Sequence, residues 1–199
     1  MRTNELKTTA LTRRERLRAA TDADHKKLDA LVSGRQFFAS VGRYGTWLQH
    51  SFEFHKHMEL ALARAGAARL LTGWSAHANS PLIGRDLSDL GITLLPSDQS
   101  AAIKLASQAE CLGALYVIEG ASMGARVLLI AAHRLGLNAE RGARQLTAAA
   151  SNIDRWRKFV AMLEAAALSR EDEDQLISAA RRTFGFAERC FGMAYAEQP

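Results

Sequence analysis

Apolar residues recur along this chain at the three-to-four-residue spacing of amphipathic helices, and no segment keeps the alternation of a strand. The pattern predicts a first helix over about residues 12–31, with Thr12 as its N-cap and Gly34 beyond its end. It predicts a second helix over about residues 37–65, which stops near Gly66. Because Ala, Leu, Arg and Glu are abundant and there are only 3 prolines, we predict an all-α protein.

The middle of the chain predicts a long apolar helix with a break in it. Residues 71–96 hold several glycines and prolines, so we expect an irregular stretch with a short helix at about 86–90. A helical pattern then runs over about 97–135. An uninterrupted helix of that length is uncommon, and the glycines within it predict a kinked central helix.

The rest of the pattern completes a single domain. A loop at about 136–142 precedes a helix at about 153–167, and the sequence SRED at 169–172 resembles a capping box that opens a last helix. A chain of 199 residues with 48% hydrophobic content can bury one substantial core. We therefore predict a flexible tail over residues 1–10 and one domain over residues 11–199.

The apolar run over residues 111–137 is long enough to span a membrane, so its charges decide how it is interpreted. Ionisable side chains interrupt the run at Glu119, Arg126, His133 and Arg134. Since such groups are rare in membrane spans, we predict a buried core helix and no membrane association. Residues 1–7 are polar and lack the apolar stretch of a secretory signal, so we expect a cytoplasmic protein.

Charge and cysteine content narrow the choice of partners. A net charge of +5 favours acidic partners, which include nucleic acid, acidic electron-transfer proteins and ligands that carry carboxylates. No aromatic interleaving or DNA-reading motif accompanies the basic turn at Arg13, Arg14 and Arg16, so we expect no nucleic-acid partner. Cys111 and Cys190 are too few and too far apart for a zinc site or a disulfide framework, and we expect reduced core thiols.

The first predicted helix carries a histidine at the edge of its apolar face. Leu17, Thr21 and Leu28 lie near one side of this helix, and His25 lies on the flank of that side. Asp29 follows His25 by one turn, where its carboxylate can accept the proton of one ring nitrogen and leave the other nitrogen for a metal. The pattern fits an axial metal ligand, and it also fits a half-buried histidine with a helical partner.

Three glycines fall on one stripe of the central helix. Gly113, Gly120 and Gly124 are separated by seven and four residues, which places them on one side of a helix. Each interior glycine costs a helix roughly 1 kcal/mol relative to alanine, so the stripe predicts close approach by another body. That body is either a neighbouring helix or a flat ligand lying against the backbone.

Basic residues near both predicted helices offer partners for carboxylates. Arg18 and the cluster of Arg155, Arg157 and Lys158 can hold two carboxylates at the edge of a pocket, because the arginine fork donates in parallel. For Arg155 and Lys158 the sequence favours a solvated helix face. The chain contains no Ser-His-Asp signature, phosphate-binding loop or dinucleotide fingerprint.

Three segments match those of a known family in order and in spacing. They are LRAATDADHKKLD at 17–29, SPLIGRDLSDLG at 80–91 and GALYVIEGASMG at 113–124. They resemble the proximal helix, the connecting segment and the distal helix of bacterial biliverdin-producing heme oxygenases. The resemblance extends over about residues 11–195, and it implies a single-domain, all-α heme oxygenase-like bundle with heme between the first helix and the kinked central helix.

The resemblance also implies a role for each matching residue. It makes His25 the axial ligand of the heme iron. It gives the catalytic side of the pocket to Gly120, Ala121, Ser122 and Gly124. It implies contacts with heme or its propionates for Arg18, Asp29, Tyr116, Arg157 and Phe184.

The reaction implied by the resemblance is cleavage of heme to biliverdin, iron and carbon monoxide, with heme as both substrate and cofactor. Because the sequence carries no flavin or nicotinamide motif, the electrons must come from an external donor. An acidic protein of the ferredoxin or flavodoxin type suits the basic surface. A bacteriophytochrome is a fitting acceptor of the biliverdin.

One position departs from the family pattern. Ala121 stands where the animal enzymes have an aspartate that helps to hold a water network, so Ser122, Tyr116 or water held by the backbone is left for that task. One alternative is therefore a heme carrier or sensor of the same fold without turnover. A thiamin-degrading enzyme of the same superfamily is a second alternative, but the sequence lacks the cysteine or carboxylate cluster that it needs.

Overall fold

The computed structural model describes residues 11–71, 76–94 and 103–193, and these residues confirm the all-α prediction. Within these ranges no strand forms, and one isolated bridge joins Asn138 to Gly142. The tail predicted over residues 1–10 lies outside the described residues. The helices are α1 (Arg13–Gly34), α2 (Val41–Arg64), α3 (Ala67–Leu70), α4 (Ser80–Asp89), α5 (Gln108–Gly120), α6 (Ser122–Arg134), α7 (Arg144–Ser151), α8 (Ile153–Ala165) and α9 (Arg170–Gly192).

Side-chain caps open α1 and α9. The Thr12 hydroxyl accepts a hydrogen bond from the N–H of Glu15, and the Glu15 carboxylate accepts one from the N–H of Thr12. Ser169 and Asp172 form the same reciprocal pair at the start of α9. Both starts follow from short local motifs, and the predicted capping box at Ser169 is confirmed.

The central helix breaks where the glycines predict. The N–H of Ala121 bonds the carbonyl of Val117 at 3.1 Å, whereas the N–H of Gly124 bonds the carbonyl of Ala121 at 3.2 Å. Hydrogen bonds that span four residues therefore give way to one that spans three, and α5 ends while α6 begins. The predicted start of this helix at residue 97 is wrong, because residues 103–106 are not helical and Ser107 caps α5.

Helix α7 was not predicted, because its cap comes from a distant part of the chain. The buried carboxylate of Asp86 accepts hydrogen bonds from the N–H groups of Arg144 and Gln145, both at 3.0 Å. The carboxylate of Asp89 accepts one from the N–H of Gly142. Since α4 supplies both carboxylates, the start of α7 has no local signal in the sequence.

Helix α5 lies at the centre of the core and packs along α9. Most of its side chains are buried, among them Cys111, Leu112, Ala114 and Leu115. The second cysteine, Cys190 on α9, is also buried, and both are free thiols, as predicted. Burial raises the pKa of Cys111 to about 11 and that of Cys190 to about 12, so neither thiol is reactive at neutral pH.

Helices α5 and α6 together form the one candidate membrane span among the described residues. The segment Gln108–Arg134 is long and apolar enough by length and composition, and its most apolar 18-residue window has a mean hydropathy of 1.5 and is 28% buried. A core helix passes the same test, and most side chains of α5 are buried. The prediction of a buried core helix therefore holds for α5. It does not hold for all of α6, which exposes Met123, Val127 and Ile130.

Candidate functional site

A cavity of about 990 Å³ opens inside the helical bundle. Residues of α1, α2, α5, α6, α7, α8 and α9 line it, and apolar side chains predominate. Small-molecule and cofactor pockets span about 300–1,000 Å³, so this cavity is large enough for a large ligand.

The wall that α1 contributes carries the predicted histidine and aspartate. His25 and Asp29 both line the cavity, and His25 Nδ1 lies 3.0 Å from Asp29 Oδ2. The ring of Phe184 from α9 meets the His25 ring edge to face, with centroids 5.9 Å apart. Both side chains are mostly exposed, and because Asp29 engages Nδ1, Nε2 is the ring nitrogen left for a ligand.

Residues 120–124 form a second wall, called the glycine wall below. All five residues line the cavity at the break between α5 and α6. A Cβ added at Gly124 would meet no atom within 4 Å, and a Cβ added at Gly120 would approach only the Trp156 ring, at 3.7 Å. The Ser122 hydroxyl donates to the Glu119 carbonyl at 2.6 Å. The backbone is therefore open to a ligand along this wall.

Gly113, the third glycine of the predicted stripe, serves a different contact. A Cβ at this position would lie 2.2 Å from the Leu176 carbonyl oxygen and 3.0 Å from Ala179 Cβ. This glycine lets α5 approach α9 closely. The sequence left two explanations for the stripe, a neighbouring helix or a flat ligand. The neighbouring helix α9 explains Gly113, whereas Gly124 borders open space that a ligand could fill.

Tyr116 lines the cavity between the two walls and is half-buried. Its ring packs near Trp156, with centroids 6.0 Å apart. Burial raises the pKa of Tyr116, while a hydrogen bond with Thr21 and the positive charge of Arg18 oppose that rise. The phenol is therefore a neutral hydrogen-bonding group at physiological pH.

The arginines that line the cavity are not the ones predicted to do so. Arg18 is exposed and does not line the cavity, and Arg157 is 73% exposed and pairs with Asp154 at 3.5 Å. Arg155, for which a solvated face was favoured, instead lines the cavity and binds Glu119 through two hydrogen bonds of 2.6 Å. The expectation for Arg155 is wrong because α8 turns this side chain toward the end of α5.

A polar group that the sequence motifs above do not include lines another part of the cavity. His55, Glu59, His77 and Asn79 all line it. Glu59 accepts hydrogen bonds from the N–H groups of Asn79 and Ser80, at 2.6 and 3.0 Å. Burial, and to a smaller degree His77, lower the pKa of His55 to about 4, so its imidazole is neutral at pH 7.

His57 points away from His55, as the two-residue spacing predicts. It is buried beside Glu53, with Nε2 and Oε2 3.3 Å apart. No group of three or more His, Cys, Asp or Glu side chains within the described ranges is arranged to hold a metal ion. A metal in this cavity would therefore depend on a ligand set that a bound molecule completes.

Comparisons with known proteins agree on one family. The heme oxygenase family model matches residues 95–192. Heme oxygenase PigA of Pseudomonas aeruginosa is 33% identical over 162 residues, which are 81% of this chain and 82% of that protein. The NO- and CO-bound heme oxygenase of Neisseria meningitidis, known from crystal structures, superposes with a TM-score of 0.76 at 33% identity. That match covers 96% of this chain and 98% of the other.

Proposed function

Because the chain belongs to the heme oxygenase family and is an enzyme that degrades heme, we propose that it holds heme in the cavity with His25 as the axial iron ligand. The proposed products are biliverdin, iron and carbon monoxide. The observation that carries this proposal is the pair of His25 and Asp29 in a cavity whose glycine wall leaves backbone uncovered.

The cavity fits a flat, mostly apolar substrate with one metal. Its volume of about 990 Å³ is ample, and the lining is predominantly apolar. His25 offers Nε2, and neutral imidazole is a common iron ligand. Asp29 accepts the Nδ1 proton, which fixes the tautomer and makes Nε2 a stronger base. Phe184 limits rotation of the ring through their edge-to-face contact.

The glycine wall lets the substrate plane approach the backbone. With no side chain at Gly120 and Gly124, and only a methyl group at Ala121, the reacting edge of the substrate remains open to a diatomic gas. The Ser122 hydroxyl is already a donor to the Glu119 carbonyl, so its oxygen is available as an acceptor. We propose that the side chains of Ser122 and Tyr116 hold water molecules at this wall.

Arg18 and Arg157 are proposed to seat the two propionates at the edge of the cavity. Support for Arg18 is that its charge acts on Tyr116, which lines the cavity. Support for Arg157 is its place directly after Trp156, another lining residue. Exposed arginines suit carboxylates that reach solvent, because a bidentate pair forms without burying either charge.

The substrate supplies its own iron and hence the oxygen chemistry that opens the porphyrin ring. Electrons are proposed to come from an acidic protein of the ferredoxin or flavodoxin type, for which the net charge of +5 provides electrostatic attraction. A bacteriophytochrome is the proposed acceptor of the product. The proposed location is the cytoplasm.

The test is an absorption spectrum of the protein with equimolar hemin, recorded while ascorbate and catalase are added in air. We expect a sharp Soret band that gives way to the spectrum of biliverdin. A Soret band that persists would refute turnover, and the absence of any Soret band would refute the assignment of this cavity to heme.

Asp29→Asn tests the role of the carboxylate within the same assay. We expect hemin to bind but turnover to fall about 10- to 100-fold, because the neutral amide oxygen of asparagine is a weaker acceptor for the Nδ1–H of the axial imidazole than a carboxylate. The control is Asp22→Asn on the same helix, since Asp22 pairs with Lys26 at 2.7 Å and does not line the cavity. Equal activities of the two variants would contradict the role of Asp29.

A further inference from the structure

Helix α5 carries an arginine–glutamate ion pair at each end. At its start, Glu110 binds Arg182 of α9, with Oε1 and NH2 2.6 Å apart. At its end, Glu119 binds Arg155 of α8 at the same separation. The first pair does not line the cavity, whereas both members of the second do.

The Glu119–Arg155 pair has the geometry of a rigid clamp. Arg155 donates from Nε to Oε2 and from NH2 to Oε1, both at 2.6 Å. The Glu119 side chain is only 5% exposed and that of Arg155 is 21% exposed. A two-point contact between planar groups fixes orientation as well as distance, and low exposure limits screening by solvent.

This clamp acts on the residue that directly precedes the glycine wall. The carboxylate of Glu119 is held by Arg155, and its carbonyl accepts the hydrogen bond from the Ser122 hydroxyl. The chain therefore enters the break at Ala121 from a residue that is fixed through both its side chain and its backbone. Helices that end without such support fray, because their last carbonyls lack partners.

We propose that Arg155 is a positioning residue that fixes the end of α5 and thereby sets where the glycine wall lies against the substrate. The inference rests on the proposed function only in that the substrate lies against this wall. Arg155 itself acts through Glu119. Loosening the clamp moves the backbone of residues 120–124 without removing any group that we assign to bind iron.

The first test measures amide hydrogen exchange in the heme-free protein, so its outcome does not depend on whether heme binds. In Arg155→Lys the charge remains, but an ammonium cannot span both carboxylate oxygens. We expect exchange of the amides at 120–124 to accelerate at least about tenfold, because local opening no longer has to break a charge-assisted pair. The matched control is Arg182→Lys, which we expect to leave these amides at the wild-type rate.

The second test is the C–O stretching frequency of the ferrous carbonyl complex, which reports contacts between the bound gas and the wall. We expect Arg155→Lys and Glu119→Gln each to shift or broaden this band, and Arg182→Lys to leave it in place. The double variant should change it no more than the larger single change, because the two residues act as one unit.

Unchanged exchange at residues 120–124 in Arg155→Lys would overturn the proposal. Equal acceleration in Arg155→Lys and Arg182→Lys would also overturn it, because the effect would then be general destabilisation. If Glu119→Gln does not fold, the exchange result for Arg155→Lys still tests the positioning role of Arg155. A wild-type protein that binds no hemin would refute the proposed function and leave the exchange result standing.

Discussion

The two ends of the glycine stripe have different surroundings although the residue type is the same. At Gly113 a Cβ would lie 2.2 Å from the Leu176 carbonyl oxygen, so only glycine allows α5 and α9 to pack at this distance. At Gly124 a Cβ would meet nothing within 4 Å, so glycine is not required there by protein packing. The periodic pattern in the sequence is the same at both positions, whereas the structure places a neighbouring helix against Gly113 and leaves open space at Gly124.

The two ion pairs of α5 also differ in whether they face the cavity. Glu110 and Arg182 join α5 to α9 outside the cavity, whereas Glu119 and Arg155 join α5 to α8 in its wall. The start of α5 therefore lies in the packed core away from the cavity, and its end lies in the cavity wall that we propose to face the substrate. Substitutions at the start should change unfolding, and substitutions at the end should change heme binding.

Gly113→Ala should have the largest effect on stability. The added methyl group cannot avoid the Leu176 carbonyl without moving α5 or α9, and overpacking of this kind costs about 3 kcal/mol or more. Urea unfolding of the heme-free protein measures this cost. The control is Gly124→Ala, whose free energy of unfolding should stay within about 1 kcal/mol of wild type. Equal losses of unfolding free energy in the two variants would contradict the difference between Gly113 and Gly124.

Gly124→Leu should have the reverse effect. A Cβ at this position meets no protein atom within 4 Å, so we expect unfolding to change little while hemin binding weakens about tenfold or more. A hemin titration followed at the Soret band gives the dissociation constant. Hemin affinity equal to wild type would show that the substrate does not lie against Gly124.

Local patterns predicted the parts of the site that lie on well-formed helices. The spacing of Leu17 and Thr21 fixes the buried side of α1 with His25 on its flank, and one turn later Asp29 must lie beside His25. The break at Ala121 likewise follows from nearby glycines. These features depend only on residues within a few turns of one another.

The rest depends on contacts between distant segments. Helix α7 begins where Asp86, nearly sixty residues earlier, accepts its first N–H groups. Which of Arg155 and Arg157 turns toward the cavity depends on where α8 begins and how it meets α5. Neither the start of α7 nor the rotation of α8 is encoded in a local motif, so sequence reasoning favoured a solvated face for Arg155.

Glu110→Gln should have the smallest effect, and its pH dependence identifies the cause. Although burial opposes the shift, the Ala106 N–H and the Arg182 guanidinium lower the pKa of Glu110 in the folded protein. A lowered pKa contributes stability above the unfolded value, and this contribution is lost as the pH falls through the folded value. The stability difference between wild type and variant should therefore shrink below about pH 4. A difference that does not vary with pH would contradict this cause.

The central claim is that His25 binds the heme iron, and the iron–histidine bond of the heme complex in His25→Ala tests it most directly. Resonance Raman spectra of the ferrous complex show an iron–histidine stretch, which we expect to vanish in His25→Ala and to return when imidazole is added. His133→Ala, an exposed position outside the cavity, should keep the band. Retention of the band in His25→Ala, with its loss in His55→Ala or His77→Ala, would place the iron on the other side of the cavity and contradict the account.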